Sequence, residues 1–328
     1  MGKNFDLVSI GDASLDVFIA PEEHEEFCTL DREKCLVCFN YADKIPVREL
    51  EFSVGGNAAN NAVGASRLGI KTTILVTVGS DKAGDQIIET LIREKVDTGF
   101  VRRSGAMSNY NTAIMYSGER TILTYHPPYD YIFPEAPPQS KWAYLTSMGK
   151  NFEPFYAKVA SWAKQSNTKI VFNPGSYQMK AGINALRDLF PFIEVLFVNR
   201  EEAIKFMGDH SAASAKQLLE GMVQLGAKKA VVTDGPNGAT AYDGQKYYKS
   251  GILPVDAYER TGAGDSFATA CLAALISGHA MDEALLWGTI NSASVIGHIG
   301  PQAGLLKKEE MPEWLERAKS SGVKVEEI

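Results

Sequence analysis

Residues 255–278 read VDAYERTGAGDSFATACLAALISG. A glycine-rich turn, Thr261-Gly262-Ala263-Gly264, runs into Asp265, and an apolar helical run follows through Phe267, Cys271, Ala274 and Leu275. The start of a helix carries backbone N–H groups without intrahelical partners and the positive end of the helix dipole, so it attracts phosphate. A carboxylate set into such an anion site would repel the phosphate unless it has a chemical task. Accepting the proton of a hydroxyl that attacks the phosphate is such a task, so the segment reads as a phosphoryl-transfer centre. Glycine turns before helices are common, however, and Asp is favoured in a first turn. Taken alone the segment supports a structural reading equally well.

Outward from this helix the pattern is regular. Downstream, helical periodicity covers 265–277, 281–298 and 309–319. Upstream, buried strands are expected at 7–10, 74–78, 143–145, 170–172, 195–198 and 230–233, with helices near 57–68, 83–95, 153–166, 181–189, 200–207 and 212–225. Repeated βα units imply a mostly parallel sheet covered on both faces. A hairpin follows, with 239–242 and 246–249 flanking Asp243-Gly244. Two stretches break the rhythm, 16–53 and about 100–126, with short alternating segments such as 112–116 and 121–125 around a turn at Ser117-Gly118-Glu119-Arg120. Their matching character suggests one small β sheet, a lid over a site at the strand ends; the plainer alternative is a set of unrelated surface hairpins. With no internal repeat or linker, residues 1–328 read as one α/β domain, a three-layer αβα sandwich with a lid.

Composition excludes several classes. The 328 residues are 45% hydrophobic and 22% charged, as in ordinary globular proteins. A net charge of −7 argues against nucleic-acid and anionic-membrane partners. The N-terminal MGKNFDLVSIGD lacks a signal-peptide core, no apolar run approaches the roughly 20 residues of a membrane span, and Asp6 stands where a myristoylation signal needs Ser or Thr. A cytoplasmic protein is expected. Cys28, Cys35 and Cys38 cluster near His24, but the second Cys pair of a zinc site is missing, and Cys271 falls on the apolar helix face.

Residues 54–69, VGGNAANNAVGASRLG, form a second glycine motif. Gly55-Gly56 permits close backbone approach to a ligand, and Asn57, Asn60 and Asn61 put amides at a helix start. Amides donate and accept hydrogen bonds at once, which suits sugar hydroxyls; the alternative is N-capping by Asn57. With GGNAAN and SRLG upstream and TGAGD about 200 residues later, the chain resembles the PfkB carbohydrate kinase family, with its ribokinase-like fold, from the first strand to the final helices.

The resemblance implies roles at matching positions. Asp265 corresponds to the catalytic base, and Gly262, Ala263 and Gly264 to the anion hole. Asp16, in the segment Gly11-Asp12-Ala13-Ser14-Leu15-Asp16, corresponds to a carboxylate that grips sugar hydroxyls, with Asp12 assisting and Gly55, Gly56 and Asn60 as further substrate contacts. Asn199 and Glu202 correspond to an N-x-x-E motif that organises magnesium and phosphate, Glu202 acting through water because Mg²⁺ keeps much of its hydration shell. Thr233, Gly235 and Gly238 correspond to a nucleotide-phosphate turn. Asn291 and the segment Gly300-Pro301-Gln302-Ala303 correspond to the neighbourhood of the adenine pocket. ATP and Mg²⁺ are the implied cofactors. Glu259 stands where potassium-activated members carry Asp; one methylene longer, it puts a K⁺ site in question. Arg260 is unusual so near the phosphates.

The implied activity is phosphorylation of a hydroxymethyl group on a free sugar such as ribose or fructose. The absence of Lys or Arg beside the Gly-Gly motif disfavours a phosphosugar. A nucleoside kinase is the alternative, since Tyr110 and Tyr125, with Asn109, Asn111, Arg120 and His126 nearby, place aromatics in the lid where they could stack on a base. A silent binding protein on the same fold is the third reading; Asp265, Asn199 and Glu202 argue against it. The lid's apolar residues suggest a homodimer.

Overall fold

The structure, a computed structural model, describes residues 4–22, 28–31, 34–116, 119–208, 213–258 and 260–328. The N-terminal part contains β1 (Asn4–Gly11), β2 (Ser14–Pro21), β3 (Cys28–Asp31), β4 (Lys34–Val37), β5 (Val47–Gly55), α1 (Asn57–Arg67), β6 (Thr72–Gly79), α2 (Lys82–Arg93), β7 (Arg102–Ser104), β8 (Asn109–Tyr116) and β9 (Glu119–Tyr125). The middle adds β10 (Gln139–Leu145), α3 (Glu153–Ser166), β11 (Lys169–Phe172), α4 (Ser176–Ala181), α5 (Ile183–Leu186), β12 (Ile193–Asn199), α6 (Arg200–Phe206), α7 (Ala215–Gln224) and β13 (Lys229–Thr233). The chain closes with β14 (Ala239–Tyr242), β15 (Tyr247–Ser250), α8 (Ala263–Ile276), α9 (Met281–Val295), α10 (Met311–Ser320) and β16 (Val325–Glu327).

Ten strands form the main sheet in the order β16-β15-β14-β13-β12-β11-β10-β1-β6-β7. From β13 to β7 all neighbours are parallel, and the β14–β15–β16 edge is antiparallel. Every residue of β6 is buried, as expected for a parallel strand covered on both faces. Alternation along β12 shows the two layers. Leu196 and Val198 pack with Trp162, Leu218 and Met222 on one face, and Val195 and Phe197 pack with Cys271, Leu272 and Leu285 on the other. Helix α8, buried from Ser266 to Ala274, lies between α1 and α9. None of the described helices is long and apolar enough to cross a membrane.

The lid is one sheet, β5-β2-β8-β9, built from both expected insertions. Three details differ from expectation. β7, from the second insertion, joins the main sheet beside β6 instead of the lid. β3 and β4 form their own two-stranded sheet. The helix expected at 181–189 is confined to the short α5, because Gly182 at φ +75° separates it from α4, which ends at Ala181. His24 of the Cys/His cluster, Ser117 and Gly118 of the lid turn, and Glu259 lie outside the described residues.

Candidate active site

The lid and the main sheet meet at the carboxyl ends of the parallel strands, the usual place for a site in such a sheet. Helix α8 begins there. Gly262 has φ +80°, and a Cβ on it would lie 2.6 Å from Pro301 Cβ, so the turn requires glycine. The helix starts with Ser266 N–H donating to Gly262 C=O at 2.8 Å, and the Ser266 hydroxyl donates to Ala263 C=O at 2.9 Å. The Ala263 amide donates to Arg260 C=O at 3.3 Å, so one of the expected anion-hole groups has an internal partner. Around Gly264 there is open space where a side chain would be. Asp265 follows in the first turn, half-buried, and Asn60 Nδ2 donates to its Oδ2 at 3.0 Å. Burial pushes its pKa up to about 6, the Asn60 hydrogen bond opposing and the Asp16 charge adding to the rise.

On the lid side of Asp265 are two further carboxyls. Asp16, on β2, is buried and accepts from Ser14 Oγ at 2.7 Å and Asn111 Nδ2 at 2.8 Å. Burial raises its pKa against those donors. Gly55 leaves the room for it, since a Cβ there would overlap the Asp16 carboxylate. Asp12 follows β1 and is buried. Its Oδ2 lies 3.7 Å from His126 Nδ1, and among the described residues neither atom has a hydrogen-bond partner; Tyr131 Oη donates to its Oδ1 at 3.5 Å. Burial pushes Asp12 up to about 7 and holds His126 below the usual histidine range. Gly56, at φ +88°, passes so close to Asp12 that a Cβ would sit 2.6 Å from its carbonyl oxygen. Asn57 is the first residue of α1 and makes no capping bond. Asn61 bridges Ser9 and Thr269 within the core, so of the three amides Asn60 is the one at Asp265.

On the other side of the turn is a cleft of about 460 Å³, lined by Thr233, Gly235, Gly238, Leu253, Gly264 and Ile296 among others, with Arg260 at its wall. Gly238 runs against the Ser250 carbonyl with no room for a side chain. Asn199 and Glu202 form a reciprocal cap at the start of α6: Glu202 N–H donates to Asn199 Oδ1 at 2.8 Å and Asn199 N–H to Glu202 Oε2 at 2.9 Å. Burial raises Glu202 above the usual range; the Asn199 N–H bond and Lys205 oppose it, and the Asp265 charge adds a smaller push upward. Glu202 accepts the Asn199 N–H bond through Oε2, and a carboxylate oxygen is the donor type that suits water of a hydrated Mg²⁺ ion. Among the described residues there is no group of three His, Cys, Asp or Glu that could hold a metal ion.

Asn291 is fully buried, donates to Ser266 C=O at 2.8 Å and accepts from Leu306 N–H at 2.9 Å. It ties α8 to α9, and Thr289, Ser292 and Ala293 on either side of it line the cleft. In the following segment Gly300 packs near Ser53 and Phe18 at the lid base, Pro301 against Gly262, and Gln302 against Asn60. Tyr131, and Tyr177, whose ring meets His126 edge-on at 5.6 Å, were invisible in the sequence. Both lie outside periodic segments, where pattern carries no information.

The lid register sorts its residues. Asp16, Asn111 and Thr124 stand opposite one another, as do Leu15, Tyr110 and Tyr125. Successive strand residues point to opposite faces, so the two tyrosines lie on the face away from Asp16.

A base-like carboxyl at a helix start, with polar carboxyls on one side and a glycine-lined cleft on the other, defines a phosphotransferase that uses an alcohol as acceptor. Residues 5–308 match the model described as pfkB family carbohydrate kinase, and the chain belongs to that family. It is 24% identical over 286 residues to ribokinase of Haemophilus influenzae, covering 82% of this chain and 89% of the relative. It is 27% identical over 294 residues to 5-dehydro-2-deoxygluconokinase of Clostridium tetani, covering 81% and 85%. The nucleoside kinase of Methanocaldococcus jannaschii superposes with a TM-score of 0.75 at 19% identity over 97% of this chain and all of that one, a likeness of fold.

Proposed function

We propose that the protein transfers the γ-phosphoryl group of ATP to a hydroxymethyl group of a small free sugar. The observation that carries this reading is Asp265, bonded by Asn60, within reach of the Asp16 charge and next in sequence to Gly264, which lines the cleft with Thr233 and Gly235. Asp12 and Asp16 would accept hydrogen bonds from sugar hydroxyls, and Asn111 and Ser14 orient Asp16 for that purpose. Asp265 accepts the proton as the new O–P bond forms in a loose transition state. The amides at the start of α8 stabilise charge on the phosphoryl group, and positioning supplies most of the acceleration. Glu202 and Asn199 would hold water of a Mg²⁺ ion carried by ATP, which would supply neutralisation of phosphate charge.

The alternative, a nucleoside acceptor, is disfavoured by the lid register, because Tyr110 and Tyr125 stand on the face opposite Asp16. The test is ADP release from Mg-ATP across a panel of free sugars, sugar acids and nucleosides. One strong free-sugar responder is expected; a nucleoside responder would replace this reading with the alternative. We also propose a cytoplasmic homodimer joined through the lids, supported by the exposure of Leu50, Phe52 and Leu123 on one lid face.

A further inference from the structure

We propose that Gln302 is a positioning residue for the base: by donating to Asn60 it fixes which way the Asn60 amide faces, and so keeps an N–H on Asp265. The proposal rests on the reading of Asp265 as the base.

Gln302 Nε2 donates to Asn60 Oδ1 at 3.1 Å, and Asn60 Nδ2 donates to Asp265 Oδ2 at 3.0 Å. Asn60 is 4% exposed and Gln302 6%, so water does not compete at either amide. A primary amide has a donor end and an acceptor end. With a Gln302 N–H on one side, Asn60 must present its oxygen there, which leaves its nitrogen for Asp265.

Gln302 is itself held. Arg67 Nη1 donates to the carbonyls of Gln302 at 2.7 Å and Leu305 at 3.0 Å. The same guanidinium grips Glu94 through Nε and Nη2 at 2.8 and 2.9 Å. Leu306 N–H is tied to Asn291, and Gly304 packs so tightly that a Cβ would lie 2.6 Å from Ser294 C=O. Arg67 thus anchors the main chain of the 302–305 loop to Glu94, beyond the end of α2, and the Gln302 side chain reaches from that anchored loop to Asn60 and so to Asp265.

The consequence is a bias between protonation states. Ionised Asp265 needs a donor, which Asn60 supplies. Protonated Asp265 would gain by donating to the Asn60 oxygen, but turning the amide breaks the bond from Gln302. Gln302 thus penalises the protonated form and opposes the rise that burial imposes on this carboxyl.

The test is a ¹³C NMR titration of protein labelled at Asp Cγ, with Asp265→Asn to identify the Asp265 resonance. It needs no acceptor, so it reads Gln302 even if no sugar is phosphorylated. Gln302→Met removes the donor at similar volume, and the Asp265 midpoint is expected to rise by about half to one pH unit. Gln302→Glu, close to isosteric, demands the Asn60 N–H for itself and raises the midpoint further; it carries the test if the Met variant does not fold. Gln302→Lys restores a donor and is expected to keep the midpoint at or below that of the wild type. The acid limb of kcat/KM for a responding acceptor moves with the midpoint. An unchanged Asp265 midpoint in folded Gln302→Met or Gln302→Glu, whatever their thermal stability, overturns the proposal.

Discussion

At the residue scale, three buried or half-buried carboxyls set the pH behaviour. Asp265 must be ionised to accept a proton, and its pKa lies near 6, so kcat/KM is expected to fall about tenfold per pH unit below that value. A rate flat between pH 5 and 8 would remove Asp265 as the base. Asp12 acts on stability with the opposite sign. Its pKa is raised from 3.8 to about 7, so the folded state favours the protonated form, and that stabilisation is lost as pH rises through about 7. Asp12→Asn is therefore expected to stabilise the free protein at pH 8 by on the order of 2 kcal/mol, a Tm gain of several degrees that narrows toward pH 5. Thermal melts at the two pH values check it, and a loss of Tm at pH 8 would mean that the ionised carboxylate is compensated. Much of this set was legible, because Asp16 and Asp265 stand in short motifs whose glycines have local backbone reasons. The contact of Gln302 with Asn60 was not legible, since the two residues are 242 positions apart.

At the element scale, glycines decide how closely the elements approach. Gly55→Ala would push the Asp16 carboxylate aside. The expected result is an acceptor KM raised by about tenfold or more with the ATP KM unchanged, the mark of lost acceptor binding; a changed ATP KM with normal acceptor affinity would contradict it. Gly262→Ala adds strain at φ +80° and a clash with Pro301. It is expected to cost about 1–2 kcal/mol of stability and to lower kcat by distorting the start of α8. Elements with strong periodicity, such as β6, α3 and α8, were readable because burial on one or both faces leaves an apolar trace. The break at Gly182 and the transfer of β7 to the main sheet were not, because a single glycine dihedral and a three-residue edge strand leave almost none.

At the scale of the whole molecule, α8 and the strand ends line the cleft while the lid carries Asp16 and Asn111, which on the proposed reading meet the acceptor. The lid could be inferred from two off-rhythm insertions, but its order, with β2 parallel to β8, depends on pairings far apart in sequence. Its outer residues Leu50, Phe52 and Leu123 are exposed, and sedimentation at micromolar concentration is expected to show a dimer that Leu123→Lys dissociates; a wild-type monomer would end that proposal. The central claim is that Asp265 transfers the proton in phosphoryl transfer. Its most direct test compares Asp265→Asn with wild type for ADP release with the responding sugar, alongside calorimetric ATP binding. Turnover reduced by about 10³-fold or more, with ATP affinity within a few fold, is the expected result. Wild-type turnover in the variant would contradict it.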